Sequence, residues 1–518
     1  MQNLTEIKES EFIGMNDKYP SHLLPPGVFQ LVENALVADN KIAKRPGSDN
    51  IAASLGAFSI LGVSAYEPTG GTKRIIAYRN GSSNAQLYSW AGSGAFSAIG
   101  SANLTIDAPM NFAQASNRLF GFNGTDVVDV NSSLTVTKNR AGIPLGKIGI
   151  WFHNYLFVAN TTANPSRLAF SDLNDPITFT AANFIDINPD DGDEITGLAI
   201  INDELFIFKK YTIWTITGWS GSTFSATTIA GQNTNSKIYG YGCVSHQSIV
   251  NTGRDLFYLS FLGGIPYIRS FLQTTFAETI EQGIVSFDME GTLDGVNKSQ
   301  LSKCAGVYDG KYIYWALPNG ASTTNNLVIV FDPEKRFKVG RTIYRSWVRW
   351  AGITPSQYAV STISGRSKVY FGDATTGGFV FEQGTSTFDD NGTAVSMDVR
   401  TKDFMLSPSK KSKWKYIYLK YGTGFTGTLT VNTRAEKTVN FTLQKSISLA
   451  GTSPGLGPTG TFTLGTSVLG GADVAKQRVN LAEVTGSLFG IRFREITSSN
   501  CELFDYSVLG FKKGYRDS

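Results

Sequence analysis

The sequence has few cysteines and no long apolar run. Its three cysteines, Cys243, Cys304 and Cys501, are too few and too widely spaced for a disulfide framework or a cysteine-rich metal site. A chain that keeps such cysteines free is expected to fold in a reducing cytoplasm. No run of 18 apolar residues occurs, so we expect no membrane segment, and residues 1–10 lack the pattern of a secretory signal.

Charge and histidine are scarce as well. Lys and Arg number 46 and Asp and Glu 42, which leaves a formal net charge of +4 in a chain that is 17% charged. This balance gives no electrostatic footprint for wrapping nucleic acid. The histidines, His22, His153 and His246, lack metal-ligand spacing, and no P-loop, nucleophile elbow or dinucleotide fingerprint occurs. We therefore expect no enzyme activity, no catalytic or metal-binding residues and no cofactor.

Glycine and aromatic residues are abundant instead. The chain has 54 glycines, 34 phenylalanines, 21 tyrosines and 8 tryptophans. This composition is typical of proteins with many short strands and tight turns. It excludes long helices, coiled coils and disorder as the main architecture.

A short apolar motif recurs seven times along the chain. Its spacing, between roughly 37 and 57 residues, is that of β-propeller blades. The seven instances are Arg74–Tyr78, Arg118–Phe122, Tyr155–Ala159, Glu204–Phe208, Asp255–Leu259, Lys311–Trp315 and Lys368–Gly372.

Each motif opens a strand–turn–strand unit. Pairs such as Gly263-Gly264 and Asn319-Gly320 supply the positive φ angles that hairpin turns need. The runs Leu205–Phe208 and Leu327–Phe331 are apolar without alternation, so both of their faces need to be buried. Inner strands of a propeller meet that condition, and a large sandwich or barrel is the alternative.

We therefore predict an all-β protein with a β-propeller of six or seven blades over residues 52–390. Residues 1–51 form an irregular segment with a strand hairpin, which either completes the closing blade or packs outside it. Over residues 391–518, longer strands with period-two alternation predict a C-terminal β-sandwich. A Gly/Ser/Thr-rich stretch at 450–471 interrupts it and indicates a long loop.

The densest acidic cluster lies at residues 186–194 (DINPDDGDE). It does not have the register of an EF-hand calcium loop. An acidic surface patch and an ordinary loop between blades, in which Asp and Gly serve turn geometry, are the other interpretations. The residues singled out are Asp190, Asp191, Asp193 and Glu194.

The densest basic cluster precedes the predicted strand Tyr416–Tyr421 and includes Trp414. A basic run with aromatic residues is compatible with nucleic-acid binding or with docking of an acidic partner. We prefer a third interpretation, a solvated strand entrance whose lysines discourage edge pairing. The lysines of this basic run are Lys410, Lys411, Lys413 and Lys415.

Four stretches of the chain together resemble the tail nozzle or tail hub proteins of short-tailed bacteriophages, also called tail tubular protein B. The resemblance covers the chain from about residue 20 to the end, and the chain is shorter than some family members. The stretches are Gly27 to Arg45 with KRPG at 44–47, SRLAFSDLNDP at 166–176, DDGDEITGL at 190–198, and FIFKKYTIW at 206–214 with Thr217-Gly218.

The resemblance implies a structural virion protein made in the host cytoplasm. Six copies form a homo-hexameric ring at the distal end of the tail, below the portal and its adaptor. The ring continues and closes the DNA channel, through which the genome passes without specific binding. It also gives tail fibres or spikes a place to dock.

In such a ring, an acidic wall would repel DNA and keep it mobile during ejection. From the resemblance we derive the hypothesis that Asp190, Asp191, Asp193 and Glu194 face the channel as an acidic collar. An outer turn is the competing interpretation.

A carbohydrate-binding or carbohydrate-active propeller is the alternative function. In that hypothesis tryptophans stack on sugars, although tryptophans in strands more often pack between blades. The candidates are Trp151, Trp214, Trp219, Trp347 and Trp350.

Overall fold

The strands of the chain fall into two units in the structure, a computed structural model. The propeller unit holds residues 50–329 and 353–383, and the sandwich unit holds residues 1–49, 330–352 and 384–518. The structure describes residues 4–38, 40–220, 223–230, 242–275, 283–340, 342–436, 438, 440–450 and 474–512.

The propeller unit consists of successive antiparallel sheets, and each contains one of the seven apolar motifs as its second strand. We call them blades 1 to 7 in chain order. The first four blades have four strands each. They are Ile60–Tyr66, Arg74–Arg79, Ala85–Trp90 and Ser97–Leu104; Asn111–Ala115, Arg118–Phe122, Val127–Val130 and Val136–Lys138; Gly146–Phe152, Tyr155–Thr161, Arg167–Phe170 and Phe184–Asp186; and Ile195–Ile201, Glu204–Lys209, Ile213–Ser220 and Thr223–Ala230.

Blades 5 to 7 show three strands each within the described residues of this unit. The chain leaves the unit within the third strand of blade 6 and returns before blade 7. The strands are Val250–Asn251, Leu256–Leu262 and Ile265–Ser270; Ala305–Tyr308, Ile313–Leu317 and Leu327–Val339; and Pro355–Ser361, Lys368–Asp373 and Val380–Gln383. Short helices Phe271–Thr275 and Glu290–Asp294, and 3₁₀ turns His246–Ser248, Phe287–Met289 and Lys298–Lys303, lie around blades 5 and 6.

Apolar motifs without alternation form strands that are buried on both faces. In the second strand of blade 4, Leu205 and Ile207 pack against blade 3, whereas Phe206 and Phe208 pack against blade 5. All four side chains are buried. Each blade therefore contributes one layer to two apolar interfaces, as the continuous run predicts.

The ring of blades is closed by the same kind of interface. Ile60 and Val63 of blade 1 share an apolar cluster with Tyr370 and Val380 of blade 7. The predicted propeller is thereby confirmed, and within the described residues the seven motifs correspond to seven blades.

Tight turns connect neighbouring strands within several blades. Gly263 and Gly264 have φ angles of 58° and 90°, as the sequence predicted for a hairpin turn. His153-Asn154 and Asn202-Asp203 form equivalent two-residue turns with positive φ angles at non-glycine residues. The sequence analysis missed these turns because it searched for glycine, although Asn and Asp also tolerate this conformation.

The sandwich unit contains two main sheets. Sheet I has the strand order Val474–Gly486, Ser412–Gly422, Glu502–Lys512, Lys41–Lys44 and Ala35–Ala38, and Thr5–Glu9 also pairs with Glu502–Lys512. Sheet II continues from Leu327–Val339 through Thr342–Ala351, Leu31–Glu33, Met397–Arg400, Phe489–Glu495 and Thr428–Ala435 to Thr442–Ser448. Shorter elements are the strands Gly14–Met15, Val28–Phe29, Ser48–Asn50, Asp389–Asp390 and Thr393–Ala394 and the 3₁₀ turn Ser21–Leu23.

Aromatic side chains pack the two sheets face to face. Trp414 of sheet I stacks on Phe489 of sheet II with ring centroids 4.8 Å apart. Tyr506 of sheet I lies 5.4 Å from Phe493 of sheet II. This packing confirms the predicted sandwich, and the alternation of the strands follows from it, because only one face of each sheet is covered.

The sandwich also encloses ion pairs. Lys44 Nζ lies 2.5 Å from Glu495 Oε2, and both side chains are fully buried. Arg45 donates to both carboxylate oxygens of Asp390, at 2.9 and 2.6 Å. Charges taken out of water in this way are tolerated only where a partner and further hydrogen bonds satisfy them.

The division of the chain differs from the predicted one. Residues 1–51 are not a separate segment, since their hairpin Ala35–Lys44 joins sheet I. Residues 330–352 lie within the predicted propeller range but belong to the sandwich unit. The physical reason is strand pairing between distant segments, such as Leu31–Glu33 with Met397–Arg400, which no local pattern reveals. Most of the stretch 450–471 lies outside the described residues.

Candidate functional site

The acidic loop connects the last strand of blade 3 to the first strand of blade 4, and its charges are largely neutralised. Asp191 accepts hydrogen bonds from Lys209 Nζ at 2.7 Å on each carboxylate oxygen. Lys209 ends the second strand of blade 4, and its side chain is fully buried. Burial alone would raise the pKa of Asp191, but the bonds from Lys209 and from the Asp193 backbone lower it.

The next two carboxylates of the loop are engaged in hydrogen bonds as well. Asp193 accepts the backbone N–H groups of Lys210 and Tyr211, each at 3.1 Å, although its burial still raises its pKa. Glu194 accepts from Asn160 at 2.8 Å and from Lys147 at 3.1 Å. Burial would raise the pKa of Glu194, but these two partners outweigh it and lower the pKa.

Asp190 differs from its three neighbours. It is exposed, has a φ angle of 65°, and forms no ion pair within the described residues. Three lysines therefore lie close to the four carboxylates of the loop and offset most of their charge: Lys147, Lys209 and Lys210. The loop is an ordered corner with little net charge, which supports the turn interpretation and weakens the electrostatic basis of a collar.

A cavity of about 660 Å³ lies beside this loop. Arg167 and Asp186 on its wall form a bidentate pair, with distances of 2.7 and 2.9 Å. Arg167 also covers the ring of Phe184, 3.7 Å from the centroid. The cavity lining carries four carboxylates and two cations, Arg167 and Lys210, and is therefore acidic overall.

The basic run does not lie on a sheet edge. Lys413 and Lys415 belong to the strand Ser412–Gly422, which pairs with Val474–Gly486 on one side and Glu502–Lys512 on the other. The preferred interpretation, lysines that discourage edge pairing, is therefore wrong, because both edges of this strand are already occupied. Lys410 and Lys411 precede the strand.

The run belongs instead to a larger basic and aromatic surface on the outer side of sheet I, which we call the basic face. Lys415 lies over Phe511, and Arg478 lies over Tyr416, with 5.9 and 5.2 Å from each cation to the ring centroid. The members of the basic face are Lys41, Lys413, Lys415, Tyr416, Tyr418, Lys420, Lys476, Arg478, Phe504 and Phe511. The predicted basic run contained only Lys413 and Lys415 of these ten residues. Half of the members lie outside this run and the strand that follows it, because they come from distant segments of the chain.

Four of the five tryptophans proposed for sugar stacking are packed side chains. Trp347 and Trp350 are fully buried in the sandwich unit. Trp151 and Trp214 are partly buried against apolar clusters of the propeller unit. The side chain of Trp219 lies outside the described residues.

Two further features bear on possible chemistry. Where the structure describes the chain, no three His, Cys, Asp or Glu side chains are grouped as a metal ion would need. The described helices are all too short to cross a membrane. Cys243 and His246 both serve local packing: Cys243 Sγ lies 3.1 Å from the Ser245 carbonyl, and His246 Nδ1 accepts from Leu198 N at 3.4 Å.

Comparison with known proteins gives likeness in fold only. No family model matches the chain, and no curated protein matches it. Virginiamycin B lyase from Staphylococcus aureus is 11% identical, with a TM-score of 0.39 over 67% of this chain and 99% of that one. The Pan2 WD40 domain of Neurospora crassa is 8% identical, with a TM-score of 0.38 over 66% and 97%. The C-terminal WD40 domain of Sif2 is 13% identical, with a TM-score of 0.37 over 74% and 98%. Likenesses of this size imply no activity and no partner for this chain.

Proposed function

We propose that this chain is a structural subunit of a short bacteriophage tail. Six copies would form the distal nozzle or hub ring, which continues and closes the DNA channel below the adaptor. The protein would be made in the host cytoplasm and would have no catalytic role. The observation that carries the proposal is the set of four stretches that resemble tail nozzle proteins.

The structure gives these stretches a common physical role, which supports the proposal. Lys44 and Arg45 of the first stretch form the buried ion pairs of the sandwich unit. A side chain at Gly47 would place its Cβ 1.8 Å from the Asp389 carbonyl oxygen, so only glycine fits there.

The other stretches fix loops of the propeller unit in the same way. Ser171 is fully buried, and its hydroxyl accepts the backbone N–H of Leu156 at 2.9 Å. Lys209 holds the acidic loop through Asp191. Motifs that maintain a rigid scaffold are what a ring subunit under mechanical load requires.

The basic face is the surface that we propose for docking a tail partner. It presents exposed or half-buried aromatic side chains and Arg478, which are residue types enriched at protein interfaces, on one sheet with several lysines. Of these lysines, Lys41 is already paired with Glu502 at 2.8 Å. An adaptor, fibre or spike with an acidic surface would be attracted to it. Rim charges of this kind mainly affect association rates and salt dependence.

The decisive experiment is electron microscopy of particles that contain this protein. We expect a six-fold ring at the distal tail, with the seven-bladed unit visible in each subunit. Particles without the protein, or a secreted monomer outside particles, would refute the proposal.

Docking is tested with charge reversal on the basic face. The single variant Lys415→Glu should assemble poorly onto tails, and Lys476→Glu should act in the same direction, while Lys445→Glu on sheet II serves as the matched single-charge control. If both variants of the basic face assemble like the wild type, the basic face does not dock a partner.

The collar hypothesis is tested at Asp190 alone. Replacing all four carboxylates would also remove the partner of buried Lys209 and so confound ejection with misfolding. Asp190→Lys leaves that pair intact. Slower DNA ejection from intact particles would support a channel-facing loop, and unchanged ejection would eliminate the collar.

A further inference from the structure

A cavity of about 410 Å³ lies within the propeller unit, where the first strands of several blades converge. Leu61 of blade 1, Asn111 of blade 2 and Gln357 of blade 7 line it, together with His246 and Gln247 from the turn before blade 5. Its volume is in the range of small-molecule sites, which are often found where strands of a closed fold meet.

Two polar side chains on the cavity wall lack partners for part of their hydrogen-bonding capacity. Asn325 is 2% exposed; its Nδ2 donates to the carbonyls of Lys303 and Pro355, both at 2.8 Å, but its Oδ1 has no partner. Gln357 is 4% exposed and forms no side-chain hydrogen bond within the described residues. Buried amides left in this way cost stability unless water or a ligand satisfies them.

Other groups on the wall are neutral as well. Burial lowers the pKa of His246 to about 4, so its ring is uncharged at neutral pH. Its Nδ1 accepts from the Leu198 backbone, which leaves the proton on Nε2 as a donor. Gln247 Nε2 donates to Asn111 Oδ1 at 2.6 Å, and its own carbonyl oxygen stays available.

The charged residues of the cavity are engaged elsewhere. Lys303 Nζ donates to the Thr323 carbonyl at 2.8 Å. The carboxylate of Asp107 accepts from Asn80 Nδ2 at 2.7 Å. The cavity wall therefore contains one lysine and one aspartate, and each already has a hydrogen-bond partner. The remaining polar groups on the wall are uncharged, so the cavity offers no free charge to bind an anionic or a cationic ligand.

We propose that this cavity binds a neutral, hydroxyl-rich small molecule of the size of a monosaccharide, with Gln357 as its principal hydrogen-bonding residue. A sugar hydroxyl is both donor and acceptor, so it matches amide groups that offer both in one side chain. This site is separate from the surfaces proposed for tail assembly, and its failure would leave that proposal unaffected.

The test uses the full-length protein and ligand-observed NMR with D-glucose, D-galactose and N-acetyl-D-glucosamine at millimolar concentration, with inorganic phosphate as the charged comparison. At least one sugar should bind, and phosphate should not. Gln357→Leu removes an unpartnered amide, so the variant should remain folded and lose affinity by about tenfold or more. Gln383→Leu, a matched change outside the cavity, should bind as the wild type does.

Three outcomes would overturn the proposal. If no sugar binds the wild type, the cavity holds water only, since water is the ordinary partner of buried unsatisfied groups. If Gln357→Leu binds as well as the wild type, the sugar occupies another site. If phosphate binds and the sugars do not, the cavity selects charge.

Discussion

The two units differ in how far apart along the chain their contacting strands lie. Each blade of the propeller unit is built from consecutive strands, and each interface joins blades that follow one another, apart from the single closure between blades 7 and 1. The sandwich unit pairs strands from opposite ends of the chain, such as Leu31–Glu33 with Met397–Arg400. Local repeats are thus visible as spacing in the sequence, whereas a sheet assembled from distant segments leaves no such pattern.

The units also differ in what their interiors contain. The interfaces between the first blades consist of apolar side chains packed in alternation. The sandwich interior holds an ion pair with both members fully buried, Lys44 and Glu495, whereas buried Lys209 of the propeller unit pairs with a partly exposed carboxylate. The propeller unit should therefore respond most to loss of volume, and the sandwich unit to loss of a charge partner.

The largest effect is expected in the sandwich unit. Lys44→Met leaves Glu495 buried without its cation and should lower the free energy of unfolding by about 3 to 5 kcal/mol. Urea unfolding monitored by tryptophan fluorescence, to which buried Trp347, Trp350 and Trp414 of this unit contribute, would measure it. The double variant Lys44→Met/Glu495→Leu should recover much of the loss, and a double variant as unstable as the single one would contradict an electrostatic origin.

A cavity in the propeller unit should have a slightly smaller effect. Leu205 is fully buried between blades 3 and 4, so Leu205→Ala should cost about 3 kcal/mol. Hydrogen exchange should rise most in those two blades. Leu173→Ala, at an exposed leucine of the same unit, serves as the control and should change little. Equal effects of the two substitutions would mean that the interface is not close-packed.

The stability of the propeller unit should depend on pH through His246. Burial lowers the pKa of His246 from the ordinary value of 6.5 to about 4. Between pH 4 and pH 6.5, the unfolded chain therefore binds a proton at this histidine that the folded chain does not bind. Stability should therefore fall by about 2 kcal/mol as the pH is lowered from 6.5 towards 4. His246→Asn should flatten this dependence, which thermal unfolding of wild type and variant at pH 6.5 and at pH 4 would measure. A wild-type protein equally stable across the window would show that His246 is accessible to water.

The smallest effect is expected at the acidic loop. Asp191→Asn keeps an acceptor for Lys209 but removes the charge, and should cost about 1 kcal/mol at neutral pH. The pKa of Asp191 in the folded protein is lower than the ordinary value of 3.8. The stabilisation that its ion pair provides is therefore present above pH 3.8 and is lost as the pH falls through the pKa of the folded protein. Unfolding curves of wild type and variant should therefore converge in strong acid. Curves that stay separated there would contradict the ion pair.

Much of the propeller could be predicted because the residues that carry the signal are local. The runs around Leu205 and Leu327 are apolar because both faces are covered, and this is visible within five residues. The strand Val474–Gly486 could not be found in this way. Its outer side carries Lys476 and Arg478, so its sequence looks polar, and only pairing with Ser412–Gly422 defines it.

The candidate sites were less predictable for the same reason. The sequence indicates that Asp191 and Asp193 stand in a turn, but not that Lys209 neutralises one of them. The lysines of the basic run were identified, yet the face they belong to required register between three strands. The cavity at Gln357 combines residues more than two hundred positions apart, and no motif marks it.

The pairing of Thr5–Glu9 with Glu502–Lys512 has a consequence for biosynthesis. Thr5 is opposite Gly510 in this ladder, so the beginning and the end of the described chain are neighbours in sheet I. A ribosome releases residues in order, and the propeller's last strand emerges long before the strand that completes sheet I. The sandwich therefore completes only after Glu502–Lys512 has been synthesised, and a product terminated before this strand lacks the complete basic face.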